Sequence, residues 1–433
     1  LKEQQEKDRL AEIQQGLSEQ RKQQIVDEAI ALKQRQEMEE NLDILPKVGI
    51  EDIPKDIFYA EKHTFTQTPF PLTSYNAGTN GIVYQQVIMA MPDLTSEEMD
   101  LLPLYSTCAT EMGVGDKDYM ATQLWHSSVV GSYSASANVR ADKDDLEKLH
   151  GNISFSAKGL ASNQSAMTDL MQQSIEQTRF DELPRLRELV AQIRSYRESS
   201  IVGNGHVMAM TAAASGMSAN AHLTQRWGGL TGLSLLKTLD SSLDDNHQLA
   251  ALSSQLQGIH TKVLQQSRQY LLVAESERLD AFAAQIQSGF SHQAQPSFSA
   301  SNLIQYQPLL APVNHCWTAN TQISFCARAY PTVAAGHPDA APLTVLGGVL
   351  RNGFLHRAIR EQGGAYGGGA SQDNQSGAFR FFSYRDPRIE GTLSDFDQSI
   401  IWLLEKPVSA DKIEEAILGV IGSLDKPSSP AGE

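Results

Sequence analysis

Late in the chain, apolar residues recur at helical spacing: Leu343, Leu346, Val349, Leu350, Phe354, Leu355 and Ile359. The pattern predicts a helix over roughly Pro338 to Arg360. It then breaks. A run of glycines and small residues from Gly363 to Ala370 leads into Phe379-Arg380-Phe381-Phe382-Ser383-Tyr384, whose alternation is that of a strand. The glycines therefore fall at a helix-to-strand junction. Gly363 or Gly364 can take the left-handed conformation that ends a helix, with Arg360 in the last turn complementing the helix dipole. Gly367 and Gly368, with Gly369, weaken a strand unless another backbone approaches closely, which points to a strand edge that receives a peptide.

The rest of the chain divides by pattern into three stretches. Residues 1–45 are dense in Glu, Gln, Lys and Arg with sparse apolar positions, and Ser18 is a candidate N-cap for a second helix, giving a polar helical hairpin. Such a hairpin is too poor in apolar surface to be a domain and suits a bridge between larger bodies. Residues 46–245 read as strand Ile82 to Ala90, helix Ser96 to Glu111, short helix Tyr119 to Trp125, strands Val129 to Arg140 and Gly151 to Gly159, then helices Ser165 to Gln177 and Leu186 to Ser199. Residues 246–433 read as helix Leu249 to Gln266, strand Tyr270 to Ala274, helix Glu277 to Gln287, strand Gln322 to Ala329, the long helix, two strands, and helices Phe396 to Leu404 and Ala410 to Ile421. Leu101 through Gly113 and its Ser-rich strand mirror Leu343 through Gly364 and its Gly-rich strand, a weak internal repeat. The fold class expected is α+β: two similar sheet domains, each covered by helices, after a helical hairpin.

Composition narrows the function. With 41% hydrophobic and 20% charged residues the chain reads as soluble and globular. A formal net charge of −16 argues against a nucleic-acid partner, since that binding needs a positive field. Three scattered cysteines do not make a disulfide framework and favour a reducing compartment. There is no apolar run of membrane-spanning length. The first residue is Leu1, not Met, and the chain reads as the C-terminal part of a longer protein.

Candidate chemistry concentrates in the glycine run. Arg360 is a permanent cation with fixed N–H donors and Tyr366, six residues on, offers a neutral O–H; together they suit an oxygen that becomes negative in a transition state. By a plainer reading they are a helix-end charge and a strand aromatic. A phosphate cradle runs strand, glycines, helix, the reverse of the order here. The eleven histidines show no His-x-x-Glu-His or other metal spacing, so no metal ligand is assigned. No Gly-x-Ser-x-Gly elbow is present, the cysteines read as packed thiols, His356 lies one turn before Arg360 as a candidate cavity residue, and the paired acids Asp116/Asp118 and Asp244/Asp245 read as turn residues.

The arrangement from Leu355 to Ala370, followed by Phe382-Ser383-Tyr384-Arg385-Asp386-Pro387, resembles the C-terminal half of the pitrilysin/insulinase group of zinc peptidases, in the branch that includes falcilysin and the mitochondrial presequence protease. The likeness extends through Leu42 to Ile53 and Ser132 to Val139. It implies two homologous α/β-roll domains per half, a helical hairpin joining the halves, and a closed chamber in which a zinc metalloendopeptidase degrades unfolded peptides. It also implies that zinc and the general base belong to the N-terminal half of the same polypeptide, a partner absent from this sequence. Arg360 and Tyr366 would bind the substrate backbone near the scissile carbonyl. By the strand-edge reading above, Gly363, Gly364, Gly367 and Gly368 would let the peptide lie alongside, although the resemblance credits strand addition mainly to the N-terminal half. The fragment alone is expected to be inactive and to hold no cofactor. A non-catalytic structural or peptide-binding subunit of the same fold is the alternative. A bacterial cytoplasm is the expected location, with a mitochondrial matrix or other organelle as the alternative.

Overall fold

The computed structural model describes residues 2–36, 46–56, 59–65, 70–290, 303–426 and 429–430. Helices α1 (Lys2–Gly16) and α2 (Glu19–Gln36) break at Leu17 and Ser18, and the Ser18 hydroxyl accepts from the Arg21 N–H at 3.3 Å, as a cap should. No residue of α2 is buried. Residues 37–45, the rest of the expected hairpin stretch, lie outside the described residues.

The first sheet joins β1 (Lys62–Phe65), β2 (Leu72–Asn76), β3 (Ile82–Ala90), β4 (Ser132–Ala141), β5 (Leu149–Leu160) and β6 (Arg268–Ala274) in the order β1-β2-β6-β3-β5-β4. Strand β7 (Leu303–Ile304) adds to the start of β5. All pairs are antiparallel except β2 with β6. Burial alternates residue by residue along β3 and β5, placing Val83, Val87 and Met89 beside Ile153, Phe155 and Ala157 on one face. Against that face pack α3 (Ser96–Glu111), α5 (Gln164–Gln177), α9 (Asn246–Leu264) and α10 (Leu279–Phe290), through Leu102, Tyr105, Met167, Leu170, Leu256 and Ile286. A reciprocal capping box fixes the start of α3: Glu98 N–H to Thr95 Oγ1 at 3.2 Å and Thr95 N–H to Glu98 Oε2 at 2.8 Å.

Here the sequence-based division at 245/246 needs correction. Strand β6 and helices α9 and α10, assigned above to the second domain, complete the first: β6 lies between β2 and β3, and Tyr270, Leu272, Leu252 and Phe290 share the core of Val87 and Phe155. The pairing of β6 with β2 joins segments nearly 200 residues apart, and neither strand carries a local signal of its partner. A second difference lies between α5 and α9. The helix read as ending near Ser199 runs on as α6 (Leu183–Ala214), and α4 (Tyr119–Val129), α7 (Ala219–Trp227) and α8 (Leu230–Ser242) complete the helical layer, the last two not foreseen.

The second sheet has β8 (Ala327–Pro331), β9 (Gly367–Asp373) and β10 (Ala378–Tyr384) in the order β8-β10-β9, all antiparallel. The strand expected from Gln322 begins later, because Ser324 makes only an isolated bridge to Asp386. Helix α11 (Ala340–Leu350) runs without a break into a π-helical segment, Arg351–Gln362, and α12 (Glu390–Glu405) and α13 (Ala410–Leu424) follow. Leu350, Leu355, Ile359, Phe379, Phe381 and Phe396 form this core. The internal repeat is visible in the topology: strand, helices, strand, strand with order β3-β5-β4 in the first sheet recurs as β8-β10-β9 in the second. The fold class is α+β, as expected.

Candidate functional site

The end of the π-helical segment and the start of β9 bring the two candidate side chains together. Gly364, at φ 79°, turns the chain out of the helix, and its N–H donates to the Arg360 carbonyl at 3.1 Å. Ala365 N–H then donates to the Ile359 carbonyl at 3.1 Å, which returns the chain towards the helix it has just left. As a result the Arg360 guanidinium lies over the Tyr366 ring, its carbon 5.6 Å from the ring centre. Both side chains are exposed, Tyr366 to 63%. Among the described residues Arg360 has no carboxylate partner. A cation left unpaired beside a free phenol can receive an oxygen ligand without first breaking a bond.

Tyr366 is itself held from behind. Its N–H is shared between the carbonyls of Tyr384 (3.1 Å) and Arg385 (3.3 Å), and its ring meets Tyr384 edge to face, centres 5.5 Å apart at 82°. Tyr384 in turn touches Phe325 and His206, the latter at 4.7 Å on helix α6. Burial lowers the His206 pKa, and its Nδ1 is buried without a hydrogen-bond partner. Arg385 stands over the Tyr384 ring at 5.4 Å. Tyr384, Arg385 and His206 were not singled out from sequence. Tyr384 was read as the end of the aromatic strand, Arg385 as part of the stretch that carries the family likeness, and His206 reaches the site solely through the unforeseen extension of α6.

Below this surface Asp386 forms a bracket. It is fully buried; Oδ1 accepts from the Arg388 N–H (2.9 Å), Oδ2 from the Thr392 hydroxyl (2.6 Å), and its backbone exchanges two hydrogen bonds with Ser324 at 2.8 and 2.9 Å. This fixes the end of β10 to the start of α12 and so sets where Tyr384 and Arg385 stand.

The glycines separate by what surrounds them. A Cβ at Gly363 would overlap the Arg388 guanidinium, and one at Gly368 would meet Ile359 Cγ2 at 2.8 Å and the Phe382 carbonyl at 3.0 Å. Packing within the chain therefore requires both, and the turn requires Gly364. A Cβ at Gly367 would meet nothing within 4 Å. It opens β9, which is paired on one side only, with β10, at the end of the sheet order.

Other candidates resolve into structure. His356 faces Glu361 at 3.3 Å. Asp118 caps α4 and Asp245 caps α9. Burial pushes the Cys108 thiol up to about 12 and Cys326 up to about 11, far from a reactive thiolate. Among the described residues no group of three or more His, Cys, Asp and Glu is arranged to hold a metal ion. No described helix is long and apolar enough to cross a membrane.

The paired sheet units are shared with solved structures: a conserved protein from Enterococcus faecalis V583 (TM-score 0.58, 11% identity, 84% of each chain) and a peptidase M16 inactive domain from Pseudomonas fluorescens (TM-score 0.51, 15% identity, 86% of this chain and 85% of that one). At these identities the likeness is one of fold. By sequence, residues 1–239 match the family described as associated with the peptidases of family M16, subfamily C, and residues 316–433 match the one described as PreP C-terminal domain. The chain belongs to the M16 peptidase family, as a C-terminal half resembling that of presequence protease. The mitochondrial presequence protease of Yarrowia lipolytica is 29% identical over 423 residues, covering 96% of this chain and 42% of that protein; the Xenopus laevis one is 25% identical over 467 residues, covering 99% and 44%. The chain thus spans less than half the length of these relatives.

Proposed function

We propose that this chain is the substrate-binding half of a zinc metalloendopeptidase that degrades unfolded peptides in a closed chamber, with Arg360 and Tyr366 receiving the scissile carbonyl oxygen. The observation that carries the reading is the unpaired, exposed Arg360 guanidinium set against an exposed phenol at the open edge of β9. As a nucleophile adds to a peptide carbonyl, charge grows on the oxygen, and preorganised donors that strengthen with that charge lower the barrier. Arg360 supplies a full positive charge and Tyr366 a hydroxyl donor; Gly367 leaves room for the peptide backbone alongside. The reading places the zinc in the other half of the polypeptide, and no metal-holding group of three or more His, Cys, Asp and Glu occurs among the residues described here. Donors on an opposing half meet the substrate only when the halves close, so closure would gate turnover. The names of the relatives favour a mitochondrial location over the bacterial cytoplasm expected from composition.

The test is Arg360→Ala in the full-length protein. Loss of one oxyanion donor is expected to lower kcat about a hundredfold, with KM changing far less. An unchanged kcat would remove the role, and full-length protein with no peptidase activity at all would leave the peptide-binding subunit as the function.

A further inference from the structure

Arg385 is in an unusual conformation. Among the described residues only it and Asn80 are non-glycine residues with positive φ, 51° in both. Asn80 precedes Gly81 in a turn, where asparagine adopts this geometry readily. Arginine has no such ease, and strained backbone of this kind gathers at functional sites. What the conformation achieves here is specific. It presents the carbonyls of Tyr384 and Arg385 to one N–H, that of Tyr366, and it folds the guanidinium back over the Tyr384 ring.

The outcome is a second arginine–tyrosine pair beside the first, the two tyrosines in edge-to-face contact. Neighbouring arginines are neutralised: Arg380 binds Asp373 at 2.9 Å and Arg388 binds Asp395 at 2.8 Å. Arg385 is exposed and, among the described residues, has no carboxylate partner. Its sequence neighbour Asp386 faces inward to Thr392 and the Arg388 N–H. In a chain of net charge −16, two unpaired guanidinium groups in one cluster form a local positive field.

We infer that Tyr384 and Arg385 form a carboxylate-binding subsite next to Arg360 and Tyr366, which takes a carboxylate of the bound peptide: its C-terminus or an acidic side chain. The inference rests on the peptide-binding role proposed above. The planar guanidinium fork matches a carboxylate in two parallel hydrogen bonds, and the ring beneath holds the fork in place.

The experiment measures Kd by fluorescence anisotropy on the full-length protein with its zinc removed, so that no turnover intervenes. Three versions of one peptide are compared: free C-terminus with an internal Glu, the C-terminal amide, and the Glu→Gln peptide with free C-terminus. Wild type is expected to bind the first about three- to tenfold more tightly than one of the other two, and which one identifies the carboxylate. Arg385→Gly keeps the positive φ without strain and deletes the guanidinium; it should bring that ratio to about one, while Arg385→Lys keeps part of it. A wild type blind to all three peptides, or an Arg385→Gly variant that keeps the wild-type ratio, overturns the inference. Turnover of Arg360→Ala with zinc restored reads the oxyanion role separately: a hundredfold loss there, with the peptide ratio indifferent to Arg385, leaves that role standing and this subsite refuted.

Discussion

Gly367 and Gly368 are adjacent in one strand, and the structure gives them opposite responses to a methyl group. In Gly368→Ala the new Cβ would stand 2.8 Å from Ile359 Cγ2, 2.9 Å from Ile359 Cδ1 and 3.0 Å from the Phe382 carbonyl oxygen. Ile359 is fully buried and the Phe382 carbonyl belongs to the partner strand, so neither can yield cheaply. Overpacking of this kind costs about 1–3 kcal/mol. In Gly367→Ala the Cβ meets nothing within 4 Å, and the residue's φ lies outside the left-handed region, so the change is neutral or stabilises by up to about 1 kcal/mol through the unfolded chain. Hydrogen exchange followed by mass spectrometry on fragments covering 359–384 of the full-length protein reads both. One to three kcal/mol corresponds to exchange faster by about five- to 150-fold in Gly368→Ala, with Gly367→Ala at or below the wild-type rate. The same proteins assayed for peptide turnover should show a raised KM in Gly367→Ala, where the methyl occupies the space left for a substrate strand. Equal exchange in the two variants would refute the packing argument, and an unaltered KM in Gly367→Ala would remove the glycine from the substrate path.

Further outcomes follow from buried polar groups. Asp386→Ala strands the Thr392 hydroxyl and the Arg388 N–H without their acceptor, and at about 1–3 kcal/mol per orphaned group should destabilise by about 3 kcal/mol, measured as a shift of the thermal midpoint. His126 and His260 are buried, which pushes both pKa values down to about 4 from near 6.5. Between those values the unfolded chain binds protons that the folded chain refuses, so stability should fall as pH drops from about 6.5 to about 4, and a glutamine at either position should flatten that part of the urea midpoint against pH curve.

What could be read from sequence was what has a local signature. The helix ending near Arg360, the glycine turn and the aromatic strand after it all stand where periodicity places them, and Ser18, Asp118 and Asp245 lie in turns or cap helices as their residue types suggest. The spacing of Arg360 and Tyr366 permitted their meeting, but their stacking depends on Gly364 and on the Ala365 to Ile359 hydrogen bond, which no pattern announces. The glycines looked alike as letters. Only their surroundings distinguish Gly363 and Gly368, pressed against Arg388 and Ile359, from Gly367 in open space. The place of β6 was illegible for a different reason: its partners lie far off in sequence, and a short apolar strand fits either sheet equally well. Arg385 hid behind the same difficulty, since nothing in the letters Tyr-Arg-Asp-Pro says that the arginine takes a left-handed turn.

Helix α6 has a mechanical consequence. It packs on α8 and α9 in the larger unit and on β8 and β10 in the smaller, and the missing side chain of Gly205 admits the Phe325 ring so closely that an added Cβ would overlap it. A single rod thus serves two bodies, and His206, one residue further along it, leans on the tyrosine behind the candidate site. Severing the chain between the sheets would strip the smaller one of a supporting wall, so the two should melt together and resist separate expression, and any tilt of the rod would be felt at Tyr384 before it reached the rim.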